Sequence, residues 1–259
     1  MILFVVLLFS MFLGVTCDVE GFEDGSTGPT PSIELVVARY NESLDWINTN
    51  PYNKYPVIVY NKGTNSDFIK PTKLKDVVPV KNVGRCDHTY LYHIIQNYDN
   101  LADITVFLPG SIDPSETDPH GKGKEKDEVG KLVISNVEKK GDTYFSIETE
   151  DVYQAFKDFE LDEWRATYGK NTELNSEFKL TPASPRPFGK WFRAHFGDMK
   201  VRKYGYFGIF AVHKKHILQH PKSYYEDLIK ELEVSSNPEV GHYFERAWGA
   251  VFGPLDGIK

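Results

Sequence analysis

Short aliphatic and β-branched runs, cut off by turn residues, set the pattern of the first half of the chain. IELVVA at 33–38, PVIVY at 56–60, DVVPV at 76–80 and DITVFLPG at 103–110 are apolar over most of their length and stop abruptly. Near-continuous apolar strands belong to sheets covered on both faces, whereas a half-exposed strand alternates. Between the first two runs, NESLDWI reads as a helical turn with Asn41 as its N-cap, and residues 88–98 read as a helix. Strand and helix alternate, so the expected fold is α/β, a mostly parallel central sheet with helices on both faces.

Beyond Gly110 the pattern changes. Residues 112–128 are polar around HGKGKEK and predict a mobile surface loop, while KLVIS at 131–135 and TYFSI at 143–147 flank KKGD and predict a hairpin. A cluster of Pro182, Pro185 and Pro187 precedes a segment at 188–196, YGYFGIFAV at 204–212 and two terminal helices at 222–233 and 238–252, an α+β second half. No repeat interrupts this, and one domain over 33–253 is expected. At the start, residues 1–17 carry no charge and run apolar from Ile2 to Leu13, which predicts a signal peptide cut before Asp18 and a secreted or secretory-lumen protein. The alternative is a membrane anchor made by residues 2–17. Residues 18–32, rich in Gly and Pro, read as a flexible linker.

Composition narrows the function classes. The 259 residues carry 30 Lys and Arg against 37 Asp and Glu, a formal charge of -7, which argues against a nucleic-acid partner. Of two cysteines only Cys86 lies outside the leader, so the mature chain is expected to hold no internal disulfide. The nucleophile elbow, zinc-protease, P-loop and dinucleotide-binding motifs do not occur.

Ligands of open parallel sheets bind outside the carboxyl ends of the strands. Arg39, Asn41 and Glu42 follow the first predicted strand, Asn61 and Lys62 the second, and Asn82 and Arg85 the third, with His88 close behind. Cations and amides at three strand ends suit an anionic, hydroxyl-rich ligand such as a nucleotide sugar or other carbohydrate. In the blander reading Asn41 only caps, Gly63 and Gly84 only turn the chain, and Arg39 and Arg85 pair with surface acids. A divalent metal lacks the carboxylate pair that it would need at the end of VFLPG, because Asp103 starts that strand. His213 and His216 have no third ligand nearby and read as a solvated helix face. In the last helix Glu239, His242 and Glu245 fall at i, i+3 and i+6, so Glu245 beside His242 is the candidate general base. Its rival is structural, with Glu245 paired to Arg246 and Trp248 packed with Phe244. A compact Asp/Glu pair for a hydrolase is not evident.

VVARYNESLDWI, VIVYNKG, NVGRCDHTYLYHII, NYDNLADITVFLPG, GKWF, YFGIFAVHKKHIL and NPEVGHYFERAWGAVFG together resemble an uncharacterised family of fungal, algal, viral and bacterial proteins described as a domain of unknown function. The resemblance covers nearly all of residues 35–253. That family is in turn remotely similar to glycosyltransferases of the nucleotide-sugar-binding GT-A fold. Two departures stand out: Cys86 and Asp87 where Glu precedes an Asp-His or Gly-His pair, and Pro109 where Gln ends the fourth strand. The resemblance implies a nucleotide-sugar-binding protein that transfers the sugar to a hydroxyl. In that scheme Arg39, Asn41 and Glu42 hold the nucleoside, Lys62 and Arg85 the diphosphate, His88 orients a neighbour and Glu245 deprotonates the acceptor. The alternative is a non-catalytic secreted carbohydrate-binding or interaction module, with Trp191, Trp164 and Tyr206 as platforms for sugar rings.

Overall fold

Alternate residues of each central strand are buried on opposite sides, which is what a sheet packed on both faces requires. The computed structural model describes residues 30–115, 122–163 and 179–255. The proposed leader, most of the linker, residues 116–121 of the predicted loop and Trp164 lie outside them. The chain divides into Met1–Thr30, of which only Thr30 is described, and Pro31–Lys259. The strands of the second unit are β1 (Ile33–Arg39), β2 (Val57–Asn61), β3 (Leu74–Pro79), β4 (Ile104–Pro109), β5 (Tyr144–Phe145), β6 (Ile147–Glu148), β7 (Lys203–Tyr204) and β8 (Phe210–His213). The helices are α1 (Arg85–Gln96), α2 (Lys122–Lys140), α3 (Val152–Phe156), α4 (Phe188–Phe196), α5 (Lys214–Ile217), α6 (Lys222–Lys230) and α7 (Glu239–Val251).

The fold is α/β. Six strands form a sheet in the order β3-β2-β1-β4-β8-β5, and β6 pairs with β7 separately. β1 runs parallel to β2 and β4, and β2 parallel to β3, while β8 is antiparallel to β4 and β5. On one face Val36, Ile58, Tyr60, Phe107 and Phe210 pack against α1, α4, α6 and α7. On the other, Leu35, Val37, Val59, Val106 and Ala211 pack against Trp46, Tyr52 and α2. Sequential strands go one way from β1 to β2 and β3, and then the chain crosses through α1 to β4 on the other side of β1. The crevice outside the carboxyl ends of β1 and β4 is therefore the switch point of the sheet.

Two local expectations give way. NESLDWI holds no α-helix opened by Asn41; a single 3₁₀ turn, Asp45–Asn48, starts after Leu44, which has φ 63° and makes no side-chain cap. KLVIS is not a strand, and residues 122–128 are not loop, because both belong to the 19-residue helix α2. Val129, Val133, Ile134 and Val137 recur at helical spacing and face the second core layer. Gly130 lets this helix approach the Tyr52 side chain, since a Cβ there would meet the Tyr52 hydroxyl at 2.5 Å. That hydroxyl donates to the Asp127 carbonyl at 3.1 Å and to its Oδ1 at 3.1 Å, tying α2 to the 3₁₀ turn Tyr52–Lys54.

Candidate functional site

The strand ends supply two separate arrangements. The first closes on itself. Arg39, 1% exposed, donates through Nε to the Glu42 carbonyl (2.7 Å) and through Nη1 to Asn61 Oδ1 (2.6 Å) and the Asn65 carbonyl (2.5 Å), with Phe68 beneath its guanidinium at 4.1 Å. Glu42 Oε2 accepts the backbone N–H groups of Tyr40 (2.6 Å) and Asn41 (3.1 Å). Asn61 also donates to the Gly63 carbonyl at 3.0 Å. These groups fasten the loops after β1 and β2 to each other.

The second arrangement surrounds a cavity of about 270 Å³ at the carboxyl end of β4. Arg85, Cys86 and Asp87 reach it from the first turn of α1, Pro109 and Ser111 from the end of β4, and Lys122 and Lys126 from α2. His242, Glu245 and Arg246 reach it from α7, and Tyr206 and Phe207 from the 3₁₀ turn Tyr206–Gly208. Sequence forces this layout locally. Gly84 at φ 58° and Arg85 at φ 53° are both left-handed, so the chain turns sharply into α1, and a Cβ on Gly84 would lie 2.5 Å from the Leu232 carbonyl. Lys62 braces that turn by donating to the Val83 carbonyl and to the Arg85 carbonyl at 2.5 Å. Burial lowers its ammonium to about 7.

Four cationic side chains thus face two carboxylates in one cavity. Glu245 Oε1 accepts the Phe207 backbone N–H at 2.6 Å, and Oε2 lies 3.7 Å from both His242 Nδ1 and Arg246 Nη1. Burial pushes the Glu245 carboxyl upward, but His242 and Arg246 outweigh it and hold it below the usual range. Burial, then the nearby Arg85, lowers His242 to about 4, so its ring is neutral near pH 7. Burial, with the charge of Glu245 second, raises Asp87 to about 7. Arg246 donates to the His242 carbonyl at 2.8 Å and lies over Phe159 at 3.7 Å.

Of the residues picked out by sequence, the fold brings Arg85, His242 and Glu245 together. Arg39, Glu42 and Asn61 are in the buried strand-end network, with Asn41 half-buried at its edge, and Lys62 lies behind the cavity wall. Asn82 is half-buried in the turn before α1 and on the wall of neither cavity. His88 lines a different cavity of about 310 Å³ with Tyr92 and Glu233, and burial lowers it to about 3. The sugar platforms thin out: Trp191 is fully buried and donates to Glu231 Oε2 at 2.6 Å, which leaves Tyr206 on the cavity wall. Glu239 also turns inward, accepting from the backbone of Leu161 and Ala183 at 2.8 Å each and from Tyr243 at 3.0 Å. His216 is buried, not solvated, with Nδ1 2.6 Å from the Thr143 hydroxyl, and His213 caps α5 by accepting from the Lys215 N–H. Among the described residues no three His, Cys, Asp or Glu side chains gather as a metal site, and no helix is long and apolar enough to cross a membrane.

Sequence reasoning missed Asp87, Lys122 and Lys126 as cavity residues. In the sequence Asp87 is marked only as a departure from the family pattern, and the two lysines fall in the polar stretch 112–128, before the apolar helical period that begins at Val129. A protein-family profile described as "Protein of unknown function (DUF3431)" matches residues 35–256. No curated protein matches the chain.

Proposed function

Because the chain belongs to this family, whose description assigns no activity, the reading rests on the cavity, and we propose that the protein binds a nucleotide sugar there and passes the sugar to a hydroxyl acceptor. The observation that carries it is the cavity at the carboxyl end of β4, where Arg85, Lys122, Lys126 and Arg246 face an ionised Glu245. The cations neutralise a diphosphate, and a helix first turn adds backbone N–H groups beside them. Glu245, fixed by the Phe207 N–H, has a second oxygen to accept the proton of the attacking hydroxyl. His242 fixes that carboxylate and does not itself carry charge. In this reading the leader, residues 1–17, delivers the protein to the secretory pathway.

Thermal unfolding with a panel of nucleotide sugars and nucleoside diphosphates tests the reading. A ligand at about 100 times its Kd stabilises by ~2.7 kcal/mol, which raises the midpoint by roughly 5–10 °C in a domain of this size. Shifts with diphosphates and none with free sugars support it. A panel without any shift overturns it, and shifts with free sugars alone favour the carbohydrate-binding module.

A further inference from the structure

The two carboxylates of the cavity have opposite surroundings. Glu245 is held by His242, Arg246 and a backbone N–H. Asp87, 2% exposed, accepts the Trp248 indole N–H on Oδ1 at 3.0 Å and has the Cys86 thiol 3.6 Å from Oδ2, both neutral donors. The charged and titratable groups that face it are Arg85, Cys86 and Tyr90 on α1, Lys62 after β2, and Glu245 on α7. Burial and the Glu245 charge outweigh Arg85, so the proton stays on Asp87 up to about pH 7. Two carboxyl groups driven apart by their environments divide acid and base roles between them.

We propose that Asp87 is a second catalytic residue of this cavity, a neutral acid that protonates the departing phosphate oxygen while Glu245 takes the proton of the attacking hydroxyl. The proposal rests on the nucleotide-sugar reading. In the step, the acceptor oxygen bonds to the anomeric carbon and gives its proton to Glu245. The bond from that carbon to the phosphate oxygen breaks with its electron pair left on oxygen, and Asp87 supplies a proton there. Exchange with water then takes the proton from Glu245 and restores the one on Asp87, so the enzyme returns unchanged.

Two measurements on the full chain test this. Carboxyl carbon NMR of the aspartate side chains, assigned through the backbone, reads the protonation of Asp87 without any ligand. A midpoint near 7 is expected, and an Asp87 ionised throughout pH 5–8 overturns the proposal. Calorimetry with uridine diphosphate in buffers of different ionisation heat, comparing wild type with Asp87→Asn, reads the proton exchanged on binding. Wild type is expected to exchange a proton near pH 7 and Asp87→Asn to bind within a few-fold without it; equal exchange in both overturns the proposal. A protein that binds neither uridine diphosphate nor any other nucleoside diphosphate of the panel, but titrates Asp87 near 7, keeps a neutral carboxyl in the cavity and overturns its role toward a departing phosphate together with the nucleotide-sugar reading. One that binds a nucleoside diphosphate with Asp87 ionised keeps the reading and loses the acid. With an active donor and acceptor pair, Asp87→Asn should lower kcat about 100-fold and leave KM nearly unchanged.

Discussion

The network around Arg39 and the cavity around Glu245 lie at the same edge of the sheet and draw on the same residue types, yet one is filled and the other hollow. Arg39 spends its donors on the Glu42 and Asn65 carbonyls and on Asn61, and Glu42 turns its carboxylate back onto its own loop. In the cavity, Glu245 is likewise braced by a backbone N–H, but Lys122, Lys126 and Tyr206 stand across open volume from it. The first cluster stabilises the loops after β1 and β2. The second lines an open volume with charge, which can be used on a ligand. A cation at a strand end is therefore not evidence of a site until its donors are accounted for.

The largest expected effect breaks the first cluster. Arg39→Ala strips partners from two buried acceptors, the Glu42 carbonyl and Asn61 Oδ1, each worth about 1–3 kcal/mol when left unsatisfied, and from the part-buried Asn65 carbonyl, so a loss of about 3 kcal/mol or more is expected. Chemical denaturation reads it directly. A stability change below ~0.5 kcal/mol, together with a loss of nucleotide-sugar binding, would reverse the assignment and make Arg39 a ligand residue.

β1, β2 and β4 were legible in the sequence because fully buried parallel strands leave continuous apolar runs, and they begin or end within a few residues of IELVVA, PVIVY and DITVFLP; β3, half-exposed at the sheet edge, shows only the shorter run DVVPV. α2 was not, since its three adjacent apolar residues Leu132, Val133 and Ile134 imitate a strand core; Leu132 is in fact exposed, and of the aliphatic side chains of this helix Val133, Ile134 and Val137 are buried. Glu245, His242 and Arg85 could be found because α7 has clean helical spacing and Arg85 follows a glycine turn. Asp87 could not, because what sets its environment is burial and the charge of Glu245, and α7 brings Glu245 and Trp248 to it only in the fold, Trp248 from 161 residues away in sequence. Local pattern reports which face a residue occupies, and only tertiary packing reports which partner meets it there.

An intermediate effect sharpens the comparison from the cavity side. The folded state raises Asp87 from 3.8 to about 7, so it binds more protons than the unfolded chain between those values. The stability from this group is complete below about pH 4 and is lost as pH rises toward 7. Asp87→Asn removes that loss and keeps an oxygen for the Trp248 N–H. Wild type and variant should match near pH 4, and the variant should be more stable by about 1–3 kcal/mol at pH 8, where the full linkage sets a ceiling of ~4 kcal/mol. Denaturant titrations at the two pH values decide it, and a variant less stable at pH 8 would mark the carboxylate as a structural partner in the manner of Glu42.

The smallest expected stability effect, and the sharpest contrast with Arg39, belongs to Lys126. Its Nζ donates to the Ser111 hydroxyl at 2.8 Å and its side chain is half-buried on the cavity wall, 5.8 Å from the centre of the Phe207 ring. Contacts of a half-buried ammonium at a wet surface repay little, so Lys126→Ala should change unfolding free energy by less than ~0.5 kcal/mol. On a bound diphosphate the same ammonium is a point charge in a partly enclosed cavity, and its removal should weaken binding about tenfold, or ~1.4 kcal/mol, with a shallower dependence on salt. Calorimetric titration with a nucleoside diphosphate at two ionic strengths measures both quantities. Arg39→Ala and Lys126→Ala would then show opposite profiles, one losing stability and the other affinity. Unaltered affinity in Lys126→Ala would show that the diphosphate, if held in this cavity, is held from the α1 and α7 side by Arg85 and Arg246.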